Sequence, residues 1–155
     1  MNKTFDRKLY DLNNGKGIRT SQEFLGHFDY DVIDEQEAYS DRDFIVMKGN
    51  SQYKIEAEVS NNWTTEGMVP HYWSCITVPY RKRFSGADYF ILCNQSLKSV
   101  AICRMSDVKA STVNEKYIYM TGMKESFFYV PLDKFDYYSF REGIWILEKE
   151  GPSIL

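Results

Sequence analysis

Asp43-Phe44-Ile45-Val46-Met47-Lys48-Gly49-Asn50-Ser51-Gln52-Tyr53-Lys54-Ile55-Glu56-Ala57-Glu58-Val59 is the stretch that decides the fold of this chain. A compact apolar run, Phe44 to Met47, is followed by Lys48-Gly49-Asn50-Ser51, which has the composition of a hairpin turn. The second run alternates. Tyr53, Ile55, Ala57 and Val59 supply an apolar face, while Lys54, Glu56 and Glu58 project together from the other. A turn centred near Gly49-Asn50 sets Asp43 opposite a residue near Glu56, and directly opposed side chains share a face. A slip of a residue or two would put Asp41 in the place of Asp43.

Acids at i and i+2 of a strand stand roughly 7 Å apart at the backbone, from a rise of about 3.3 Å per residue. Their side chains can converge on one hard cation. A third carboxylate from the neighbouring strand completes an oxygen-rich set of the kind Mg²⁺ prefers.

The rest of the composition sets bounds. The chain's 155 residues suit one domain with a real core, read as a single unit over 1–155. Hydrophobic residues make up 43% and aromatics 16%, with twelve Tyr and ten Phe, which argues for strands over long helices and against disorder. No apolar run approaches the ~18–20 residues of a membrane helix, and Met1 to Arg7 lacks a secretion-signal core. Cys75, Cys93 and Cys103 lie scattered in apolar stretches with no C-x-x-C pair. Zinc is therefore not expected, and reduced core thiols in a cytoplasmic protein are. A net charge of −3 excludes a generally basic coat but not a local basic groove.

Along the chain, residues 3–12 suggest an arm or strand and Asn13-Asn14-Gly15-Lys16-Gly17 a loop. Thr20 or Ser21 then caps a short helix through Phe28, with Phe24, Leu25 and Phe28 as its apolar stripe and Glu23 in its first turn. Tyr30 to Ile33 reads as a strand and Glu35 to Asp41 as a loop. Residues 60–74 have no regular pattern. Asp88 to Cys93 and Ser99 to Cys103 read as buried strands joined by a turn at Asn94 to Ser96. Tyr117 to Met120 and Phe127 to Val130 are further strand candidates, and the helical pattern at 106–111 is weak. Pro131 and Asp133 break the pattern before the aromatic end.

The order of a helix bearing Glu23, a strand, a strand opened by Asp43, a hairpin and Glu56-Ala57-Glu58 resembles the PD-(D/E)XK nuclease superfamily, which includes restriction endonucleases and Holliday-junction resolvases. The resemblance covers roughly residues 15–103. It implies an α/β (α+β) fold: a central mixed sheet flanked by helices, as in restriction endonucleases. It also implies a metal-dependent endonuclease that hydrolyses phosphodiester bonds in DNA. Asp43 matches the family's Asp, Glu56 its first motif acid and Glu23 its helical acid. Glu58 stands where the family has Lys, as in some restriction endonucleases, and Lys54 or Lys82 then substitutes for that lysine. The implied catalytic set is Asp43, Glu56, Glu58 and Lys54. Mg²⁺, or Mn²⁺ in its place, would be held by Asp43, Glu56 and Glu58, and Arg81, Lys82 and Arg83 would contact DNA phosphates. Trp63, Tyr72, Trp73 and Tyr80 would stack on bases where a strand is opened.

Blander readings stand beside these. Glu-x-Glu is common on solvated strand faces, Lys54 suits a surface ion pair, and Glu23 suits a helix start. Arg81-Lys82-Arg83 reads equally as a solvated loop. The missing lysine supports an inactive nuclease-fold module that binds nucleic acid or a protein partner. The aromatic end, Tyr117 to Trp145, leaves a homodimer or an assembly role open.

Overall fold

The computed structural model describes residues 7–35, 42–118 and 121–155. Helix α1 (Arg7–His27) leads into β1 (Asp31–Glu35), β2 (Phe44–Lys48) and β3 (Ser51–Val59). β4 (Cys75–Pro79) and a 3-10 turn (Tyr80–Phe84) precede β5 (Tyr89–Cys93) and β6 (Ser99–Arg104). Then come α2 (Met105–Lys109), β7 (Thr112–Ile118), β8 (Met123–Pro131), β9 (Asp136–Arg141) and β10 (Ile144–Lys149).

The strands form two sheets, an α+β arrangement with few helices. The larger has the order β1-β2-β3-β5-β6-β9-β10 and the smaller β4-β8-β7. β1, β2 and β3 form an antiparallel meander, and β3 then pairs parallel with β5. A parallel pair cannot be closed by a tight turn and needs a crossover of a dozen or more residues. Here that crossover carries β4 and the 3-10 turn across one face of the large sheet.

The alternation read in β3 decides what each face meets. Ile55 and Ala57 join Phe44, Val46, Ile91 and Ile102 under Phe24 and Leu25 of α1. On the opposite face Phe90, Leu92 and Cys103 pack against Ile76, Val78, Phe128 and Val130 of the small sheet. A sheet, not a second helical layer, therefore covers the face bearing the glutamates. Among the described residues the expected flanking helices reduce to α1 on one side and the five-residue α2.

The largest correction lies at the beginning. Residues 7–12, read as an arm or strand, are helical, and α1 runs straight through Asn13 to Gly17, read as a loop. Thr20 and Ser21 are buried inside the helix and cap nothing. Packing overrides propensity here. A Cβ on Gly17 would lie 2.9 Å from Val59 Cγ2, so the glycine is a point of close approach between α1 and β3, not a break. The weak helical pattern at 106–111 corresponds to α2, which begins one residue earlier, at Met105, and ends at Lys109.

The hairpin holds. Phe44 pairs with Ile55 and Lys48 with Ser51, around a turn in which Gly49 adopts φ +60°. Parts of three readings lie outside the described residues: positions 3–6 of the arm, 36–41 of the acidic loop including the substitute Asp41, and Tyr119 with Met120. Among the described residues no helix is long and apolar enough to cross a membrane.

Candidate functional site

Asp43 immediately precedes β2, and its N–H donates to the Ile55 carbonyl at 2.8 Å. Phe44 pairs with Ile55 as the last pair of the ladder, so Asp43 sits at its open end, beside Glu56. Asp43 Oδ2 also accepts a hydrogen bond from the Ala57 N–H at 2.8 Å, which fixes the carboxylate between the two glutamate positions. The hairpin thus ties the Asp43 carboxylate to the strand that carries Glu56 and Glu58.

The face they share is not solvated. Glu56 is only 9% exposed. The crossover folds back over this face and delivers Lys82 from the 3-10 turn. Lys82 Nζ donates to Glu56 Oε2 at 2.6 Å and lies 3.1 Å from Glu58 Oε1. Glu58 Oε1 is itself buried and pairs with the Lys82 ammonium at that distance. Arg81 adds a longer contact to Glu58 at 3.8 Å from a mostly exposed side chain.

The electrostatics follow from this crowding. Burial raises the Asp43 pKa. The Ala57 N–H and Lys82 oppose that rise, and Glu58 adds to it. Burial likewise raises that of Glu56, against the pull of Lys82 and with the push of Asp43 and Glu58. Burial alone would lower Lys82, but Glu58 and Glu56 outweigh it and hold the ammonium above its ordinary value. Glu56 moves upward chiefly because burial disfavours its charge, and Lys82 because the Glu58 and Glu56 carboxylates outweigh its burial. Lys82 therefore stays charged through the neutral range and cannot serve as a general base.

The remaining predicted residues distribute differently. Lys54 shares the acid face one pleat before Glu56, but the lysine drawn onto the glutamates is Lys82. The Lys54 backbone N–H donates to Asp88 Oδ2, and Asp88 N–H to the Lys54 carbonyl, so Asp88 starts the β3–β5 ladder. Glu23 is exposed near the end of α1, not in its first turn, on the helix that covers the opposite face of β3. The acids that bear on Asp43 and Glu56 are each other and Glu58. Within Arg81-Lys82-Arg83 only the middle residue turns inward. The Arg83 guanidinium lies 4.1 Å over each of the Tyr80 and Phe84 rings. Trp63 is fully buried with Nε1 donating to the Met68 carbonyl, and Tyr80 and Trp73 pack against the core. Only Tyr72 of the four aromatics is largely exposed.

Two observations bear on a metal. Among the described residues no three His, Cys, Asp or Glu side chains stand grouped as a ready metal site, and Lys82 takes up Glu56 Oε2. Against that, the donors are all hard oxygens on neighbouring carboxylates, with Lys82 and, at 3.8 Å, Arg81 set against them. The donor chemistry fits Mg²⁺ or Mn²⁺.

Comparison with protein-family models, with curated proteins and with solved structures returns no match to this chain.

Proposed function

We propose that this chain is a metal-dependent endonuclease that hydrolyses phosphodiester bonds in DNA, in the manner of the PD-(D/E)XK superfamily. The observation that carries the reading is Lys82, half-buried against Glu56 and Glu58 beside Asp43. It supplies, from the crossover, the cation that Glu58 displaces from the strand. The meander β1-β2-β3 with β5 parallel to β3, and α1 on one face, supports a restriction-endonuclease-like core. The sheet on the other face departs from it.

Asp43, Glu56 and Glu58 would hold Mg²⁺, or Mn²⁺ in its place. The ion supplies neutralisation of the scissile phosphate and a lowered pKa for bound water. Glu58, paired to Lys82 through Oε1, is a further ligand or accepts the proton of the attacking water. Lys82, charged throughout, stabilises the negative charge that grows on the phosphoryl oxygens. Arg81 and Arg83 lie exposed on the same turn, where they can meet backbone phosphates.

The test is cleavage of supercoiled plasmid and of branched DNA in Mg²⁺ or Mn²⁺. Wild type is expected to cut, and Asp43→Ala, Glu56→Ala and Lys82→Ala to lose at least a hundredfold in rate. Cleavage that survives all three substitutions would overturn the assignment. One observation favours a second reading, a nuclease-fold module that binds nucleic acid or a protein partner without cutting. The 2.6 Å Lys82–Glu56 pair closes the site as an ordinary buried ion pair would. DNA binding without turnover in either metal would select that reading.

A further inference from the structure

Glu58 opens onto a cleft of about 860 Å³ that runs from the end of β3 along the small sheet. Its walls carry the Tyr72, Trp73 and Phe127 rings and the amides of Asn61 and Asn62. Tyr72 is 74% exposed. Among the described residues the lining holds one acid, Glu58, and one base, Lys116, whose Nζ sits 5.9 Å over the Phe127 ring. A surface built for duplex DNA tracks phosphates with many cations. This cleft offers instead ring faces for stacking and amide groups that can donate to and accept from base edges. Its volume falls in the range of about 300–1,000 Å³ typical of pockets that enclose small organic ligands.

We propose that this cleft holds unpaired nucleotides of the DNA strand being cut, so that the substrate class is DNA with a single-stranded segment beside the scissile bond. Tyr72 is the stacking platform, Asn61 and Asn62 meet the base edges, and Lys116 meets a phosphate at the rim. The inference rests on the nuclease reading, because Glu58 is the point at which the cleft reaches the acids.

Cys75 makes the cleft directly testable. It lies in the lining and is half-buried, whereas Cys93 and Cys103 are fully buried. Maleimide labelling of Cys75 is measured with Ca²⁺ in place of Mg²⁺, alone, with a short oligothymidylate, and with a blunt duplex of equal length. Oligothymidylate is expected to slow labelling at least fivefold and the duplex less than twofold. Tyr72→Ala should abolish the protection and Tyr72→Phe should retain it. Equal protection by the duplex, or none by oligothymidylate while plasmid cleavage in Mg²⁺ persists, overturns the inference and leaves the nuclease reading intact. Protection that persists in a protein unable to cut any DNA supports the cleft and removes the nuclease reading.

Discussion

Replacing Lys82 by Met tests the site through stability alone, with no assumption about substrate. The substitution conserves much of the volume of the aliphatic stem. It removes an ammonium that sits 2.6 Å from Glu56 and 3.1 Å from Glu58, where all three side chains are less than one-fifth exposed. Taking one partner from a buried ion pair costs about 3–5 kcal/mol, because the other charge is left uncompensated. Some solvent reaches all three groups here, so about 2–4 kcal/mol is expected. At about 2–4 °C per kcal/mol for a chain of this size, the melting temperature should fall by roughly 5–15 °C at neutral pH. The deficit must depend on pH in one direction. Without Lys82, Asp43 and Glu56 lose a group that now holds their pKa values down, so those values rise further. An acid whose native pKa is raised contributes stability below its unfolded-state pKa and loses it as pH climbs through the native value. The variant should therefore melt close to wild type near pH 4 and far below it near pH 8. Adding Glu56→Gln should recover part of the loss. Circular dichroism melts across this range are sufficient. A deficit that is absent at pH 8, or that does not shrink on acidification, refutes the argument that Lys82 neutralises buried carboxylates.

Asp43→Asn should abolish cleavage yet raise the melting temperature by a few degrees at neutral pH, since it keeps an acceptor for the Ala57 N–H while removing a charge that burial disfavours. Calorimetry showing destabilisation would contradict this. Gly15→Ala and Gly26→Ala meet open space on α1 and should each stabilise by about 0.5–1 kcal/mol in urea melts. Gly17→Ala should instead destabilise by about 1 kcal/mol or more, because its Cβ meets Val59. Asp136 is fully buried and accepts from the backbone N–H groups of Gly151, Ser153 and Ile154. Asp136→Asn turns one acceptor into a donor and should cost about 2–4 kcal/mol, with the last five residues becoming sensitive to carboxypeptidase. Unchanged protease resistance would show that the tail is held elsewhere.

The hairpin from Asp43 to Val59 was legible because its information is local. A period of two assigns the faces of β3, a Gly-Asn turn sets the register, and together they bring Asp43 to the end of the ladder beside Glu56. The buried strands β5 and β6 were legible for the same reason. Residues 7–17 were not. A glycine read as a break is instead the point where α1 presses on Val59, a fact that belongs to β3 and not to the helix. Nor could local pattern show that the glutamate face is covered, since its cover comes from β4 and β8, joined at long sequence range.

The amino-acid sequence by itself determined the acids, the common face of Glu56 and Glu58, and the hairpin that brings Asp43 near them. Only the tertiary structure decided which lysine answers them. Lys54 is nearest in sequence and on the same face, but Lys82, 26 residues beyond Glu56, is the partner. The physical reason is topological. β3 and β5 are parallel, so the chain between them must cross a face of the sheet, and it crosses the one where two buried carboxylates require a cation.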